Sequence, residues 1–124
     1  LSDEIQLVLP AEEDFRHIAH LVVGGLGARL DLTFEHLEDL QLALDALLSR
    51  REDDGEVSVA LRIVDGCVHT SVGPFAAEAL DELERDDDEL GLRRVLETVC
   101  DVVEVQERDG GSWVELTKQT RQAA

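Results

Sequence analysis

Four histidines, two cysteines and a run of carboxylates are the side chains of this sequence best equipped for chemistry. His17 and His20 stand three apart in a stretch of helical pattern, a spacing that can chelate a metal ion. No third ligand accompanies them and no H-E-x-x-H pattern occurs, so they, with His36 and His69, read as surface histidines. Asp86, Asp87 and Asp88 are adjacent, whereas a calcium loop of the EF-hand type needs alternating ligands, a glycine and a distal glutamate. They read as a solvated loop. The glycine-rich run Gly24, Gly25, Gly27 follows helix rather than strand and lacks the lysine of a phosphate loop. Its expected role is close packing of the helix against a neighbour. No serine lies in a G-x-S-x-G elbow, and neither cysteine has an evident histidine partner. Cys67 and Cys100 are far apart with no C-x-x-C, which predicts buried thiols in a reducing compartment, with a single disulfide as the alternative.

The elements that must position these groups follow from periodicity. The strongest helical pattern is Phe34 to Arg50, where Leu37, Leu40, Leu44 and Leu47 recur at steps of three and four and so share one face. Thr33 can cap its start, and Glu35 suits the positive end of its first turn. Before it, Ile5, Leu7 and Leu9 alternate as a short strand closed by Pro10. Glu12 to Leu30 reads as a helix with Phe15, Ile18, Ala19, Val22 and Leu26 inward. After it, Val57, Val59, Leu61 and Ile63 mark one face of a strand. Asp65-Gly66 supplies the positive-φ turn of a hairpin, and Cys67 to Val72 returns. Val72-Gly73-Pro74-Phe75 breaks the pattern. Ala76 to Arg85 is a short helix candidate, and Leu92 to Cys100 a third main helix. Val102, Val103 and Val105 open a strand, Arg108 to Gly111 turns the chain, and Trp113, Val114 and Leu116 complete a second hairpin. Lys118 to Ala124 is expected to be a frayed tail. The predicted architecture is an α+β, two-layer sandwich: a mixed five-stranded sheet with three main helices on one face.

The 124 residues suit one domain, residues 1–124, long enough to bury a core. Aromatics are scarce, so Leu and Val must build it. A formal charge of −18 argues against nucleic acid, whose binders cluster Lys and Arg, and against an anionic membrane surface. It permits a basic protein partner. No signal peptide or transmembrane span is legible, which predicts a cytoplasmic protein.

Four segments carry a family resemblance: EDLQLALDALLSR, VSVALRIVDGCVHTSVGPF, ELGLRRVLETVCDVVEV and GGSWVELTK. In this order and spacing they resemble the histidine-kinase-like ATPase superfamily (the Bergerat or GHKL fold). Within it they resemble the small bacterial anti-sigma-factor serine kinases. The resemblance implies a Glu-x-x-x-Asn box on the second helix, the glutamate as general base and the asparagine on the magnesium of bound ATP. Positions i and i+4 share a helix face, and phosphoryl transfer needs both a placed base and charge neutralisation. The best register places Ala46 and Arg50 at these two positions, and a slide of one residue places Asp45 and Ser49 there. Neither restores the box. The family's D-x-G-x-G loop, which receives the adenine, corresponds to SVGPF, with Gly73 kept and the aspartate missing. Its glycine-rich lid corresponds to DDDELGL, which keeps Gly91 and sets three carboxylates where phosphates would lie.

What the resemblance implies is therefore a regulatory protein-binding module without kinase activity. Its partner would be a sigma factor or a STAS-type anti-anti-sigma domain, with a homodimer as the assembly. No catalytic residue, metal ligand or cofactor is expected beyond weak candidates: Asp45 as base, and Ser49, Arg50, Gly73 and Gly91 near a nucleotide. The alternative is an active ATP- and magnesium-dependent serine/threonine kinase using Asp45 and Ser49.

Overall fold

The computed structural model describes residues 4–10, 16–29, 32–48, 55–76, 80, 91–108 and 110–119. The elements are β1 (Glu4–Pro10), α1 (Arg16–Arg29), α2 (Phe34–Leu48), β2 (Glu56–Val64), β3 (Cys67–Phe75), α3 (Leu92–Val99), β4 (Val102–Arg108) and β5 (Gly111–Gln119). The short helix expected over 76–85, the Asp86 to Asp88 run, and Ser49 and Arg50 lie outside the described residues, save for Ala76 and a buried Leu80.

The sheet runs β1-β2-β3-β5-β4. Each of its pairings is antiparallel, which corrects the mixed sheet expected above. The reason is connectivity. Two helices separate β1 from β2, so the chain reverses once more than in a β-α-β unit. A single described helix lies between β3 and β4, which do run the same way, but β5 is inserted between them.

Strand alternation sorts the side chains as period two requires. Val57, Val59 and Leu61 of β2, Val68 and Val72 of β3, and Val114 and Leu116 of β5 are buried under the helices, where they meet Leu40, Leu44 and Leu47 of α2 and Leu92 and Leu96 of α3. Thr33 caps α2 as expected. Its Oγ1 accepts the His36 amide at 3.1 Å, while His36 Nδ1 reaches back to the Thr33 amide at 3.4 Å, a capping box with histidine in the usual Glu/Gln place. Asp65 and Gly66 make the β2–β3 turn with φ of 51° and 78°.

Three expectations need correction. In α1, Ile18 is exposed and Val22 half-buried, while Val23, outside the expected stripe, is buried; the Phe15, Ala19 and Leu26 side chains of that stripe lie outside the described residues. β3 does not stop at Val72. It continues to Phe75 through a register shift and a cis Gly73–Pro74 peptide, because β5 carries a partner, Ser112, that far. Lys118 and Gln119 are not a frayed tail but the end of β5, paired with Val68 and Cys67, and the rest of the expected tail, residues 120–124, lies outside the described residues. Lys118 is on the helix-covered side, where its ammonium is 2.8 Å from Asp39 of α2 and 2.9 Å from the Val99 carbonyl at the end of α3. A cation there satisfies a terminal carbonyl and suits the negative end of the helix.

Candidate functional site

Asp45 and Ala46 lie in the last turns of α2, one step off its core-facing row of Leu40, Leu44 and Leu47. Ala46 packs against the core and presents a methyl group. Asp45 Oδ1 lies 2.7 Å from His20 Nε2 of α1. A carboxylate only accepts, so Nε2 carries the proton of this bond. Gln41 Nε2 donates to the His20 carbonyl at 3.3 Å, so the two contacts fasten α1 and α2 side by side. The acid nearest the expected base position is thus engaged in holding a helix pair.

The two glycines of the candidate set do different things. Gly91 is the N-cap of α3, with φ −71° and ψ 164°, and its carbonyl receives the Val95 amide at 3.2 Å. That extended conformation is open to any residue. Gly73 is buried, and a Cβ there would stand 2.6 Å from the Trp113 ring on the side of the sheet away from the helices. Its missing side chain makes room for an indole. Gly24 and Gly25, by contrast, would meet nothing within 4 Å among the described residues if given a Cβ, so the close packing expected of them is not found there, and the surroundings of Gly27 lie outside the described residues.

The histidines are accounted for singly. His17 and His20 have ring centroids 6.4 Å apart and edge-on, with His20 committed to Asp45. His36 caps α2, and His69 lies 3.4 Å from Thr117 Oγ1. Among the described residues no group of three or more metal-ligating side chains converges. Both cysteines are free thiols. Cys100 is buried, and burial pushes its thiol up to about 11, with Lys118 pulling the other way. Cys67 is only half-buried, in the outward phase of β3, short of the buried thiol expected.

The side of the sheet away from the described helices holds a second polar constellation that sequence reasoning missed. A concavity of about 420 Å³ there is lined by Gln6, Arg62, His69, Ser71, Trp113 and Glu115, among others. Glu115 organises it. One carboxylate oxygen accepts from Ser71, and the other lies 2.5 Å from Arg108 Nη2. The Arg108 guanidinium in turn stacks 4.6 Å from the Trp113 ring centroid. The signal was the outward phase of β3 and β5, where Ser71, Trp113 and Glu115 alternate with buried aliphatics.

No family model matches the chain. It is similar to proteins named serine-protein kinase RsbW. The one from Bacillus velezensis is 27% identical over 140 aligned positions, covering 94% of this chain and 85% of that protein. The one from Bacillus subtilis is 25% identical over 94% of this chain and 86% of its own length. The Listeria monocytogenes protein is 29% identical over a shorter stretch, 52% of this chain and 46% of its own. A crystal structure of the RsbU and RsbW domains of a Mycobacterium tuberculosis protein superposes with a TM-score of 0.74 at 16% identity, over 98% of this chain. The chain spans about a third, 34%, of that longer protein. By sequence and by fold, then, the chain resembles the RsbW-type serine kinases of the histidine-kinase-like ATPase superfamily, as its four motif segments indicate.

Proposed function

We propose that this chain is a regulatory protein-binding module of the anti-sigma type, a single domain that acts by sequestering a protein partner and not by transferring phosphate. The similarity to RsbW proteins over nearly the whole chain supports the regulatory role and the partner class, a sigma factor or a STAS-type anti-anti-sigma domain. The observation that carries the loss of chemistry is on α2. Its described residues offer a methyl at Ala46 and, at Asp45, a carboxylate bonded to His20, and these do not fit a magnesium-bound nucleotide awaiting a general base. The formal charge of −18 suits a basic partner surface and disfavours nucleic acid. No helix of the described residues is long and apolar enough to cross a membrane, and a cytoplasmic site of action fits this reading.

The names of the similar proteins favour one other reading, an active serine kinase with Asp45 as base and Ser49 near magnesium. The two separate in a reconstitution with the sigma factor and STAS protein that co-purify from the native host. Sequestration predicts complex formation without ATP and no label on the STAS protein from γ-labelled ATP. Stoichiometric transfer of label, lost on Asp45→Asn, would establish the kinase instead.

A further inference from the structure

The α1–α2 pair has an outer face that nothing among the described residues covers. Seven large apolar side chains are exposed among those residues, and four of them, Ile18, Leu21, Phe34 and Leu42, stand on these two helices. Leu21 and Phe34 are each 75% exposed and Leu42 is 50% exposed. On α2, Phe34, Glu38 and Leu42 recur at steps of four, opposite the buried Leu40, Leu44 and Leu47, so they point away from the sheet. On α1, Leu21 and Gly25 point outward in the same way, opposite the buried Val23. The contacts of His20 with Asp45 and Gln41 hold the helices side by side. Leu21 follows His20 and Leu42 follows Gln41, so each helix carries an exposed leucine at the level of that seam.

Two further observations narrow what this surface meets. Gly24 and Gly25 relieve no crowding among the described residues, since a Cβ on either meets nothing there within 4 Å. They leave bare backbone beside Leu21, over which a second helix can pass closer than the usual separation of about 8–10 Å. The carboxylates are also sorted. Asp39 and Asp45 are paired with Lys118 and His20, whereas Glu35 and Glu38, both exposed on α2, carry no ion pair among the described residues. A second copy of this chain would bring the same unpaired acids, and a net charge of −18, against themselves.

We propose that the outer face of α1 and α2 is a docking surface for an amphipathic helix of the partner protein, apolar along one stripe and flanked by Lys or Arg. The proposal rests on the protein-binding reading above and adds to it the surface and the chemistry of its occupant. The test uses a fluorescein-labelled synthetic peptide of about five helical turns, with leucines along one face and lysines elsewhere. A control peptide of the same composition has the leucines dispersed around the helix. Anisotropy titrations run at near-physiological salt, where screening over roughly 8 Å suppresses unspecific attraction. The facial peptide is expected to bind at least about tenfold more tightly than its control, and Leu21→Ser, Leu42→Ser and Gly25→Leu are each expected to weaken it about tenfold. Unfolding midpoints of Leu21→Ser and Leu42→Ser should stay near that of the parent chain, because both positions are exposed. Equal binding of the two peptides, or facial binding untouched by all three variants, overturns the proposal. So does a dimer in sedimentation velocity that Leu21→Ser makes monomeric, since the occupant is then a second copy. Magnesium-dependent ATP binding would defeat the non-kinase reading and leave this surface standing.

Discussion

The two faces of the sheet are made by the same strands and hold the molecule in different ways. The face under the helices is aliphatic almost throughout, from Val57 to Leu116, with Thr70 and Ser112 its buried polar members among the described residues. The open face is polar and linked side chain to side chain, from Ser71 through Glu115 and Arg108 to Trp113. The contrast separates stability from surface chemistry. Burial of aliphatic area is strong and tolerant of composition, whereas exposed polar links are weak singly and specific in geometry. The kinase-like chemistry that this architecture would need falls on neither face. It would sit at the end of α2, where Asp45 serves the helix pair.

The largest effect should come from the covered face. Leu44→Ala removes a side chain that is 1% exposed, and should lower stability by about 2–5 kcal/mol in urea unfolding. Next comes the bridge between the layers. Lys118→Ala leaves Asp39 unpaired and the Val99 carbonyl without its donor, and should cost about 2 kcal/mol in the same assay. The open face is probed by Gly73→Ala, whose new Cβ would press on the Trp113 ring from 2.6 Å. A loss of about 1–3 kcal/mol is expected, with a shift in tryptophan emission as the ring moves. Loss of stability without an emission change would mean that Trp113 does not rest on Gly73.

Two changes should stabilise. The Thr70 hydroxyl is buried without a hydrogen bond among the described residues, so Thr70→Val keeps the shape and removes the orphan, for a gain of about 1 kcal/mol. A loss would show that the hydroxyl has a partner in solution. Smallest is Gly25→Ala, on an exposed turn of α1 with open space around it, which should add up to about 1 kcal/mol through helix propensity alone.

Much of the covered face was legible in the sequence, because it depends on periodicity. The leucine row of α2 and the alternation of β2 each point one way, and Thr33 and Asp65-Gly66 mark their ends with local chemistry. What could not be read depended on contacts between distant segments. The extension of β3 past Pro74 follows from how far β5 runs beside it. Lys118 is instructive because its signal was present: the inward phase of Val114 and Leu116 carries it to the helix side, and only its place after the last apolar residue of the strand argued for the tail. At the candidate site the residue types were legible and their engagements were not. No spacing rule announces that Asp45 meets His20, 25 residues earlier in the chain, or that Gly73 clears space for an indole.

The central claim is that a kinase-like fold here works without a magnesium-bound nucleotide, and isothermal titration of the purified chain with Mg-ATP tests it most directly. The account predicts no binding heat up to millimolar ATP, with or without magnesium. Saturable, magnesium-dependent binding in the micromolar range, weakened by Asp45→Asn, would contradict it.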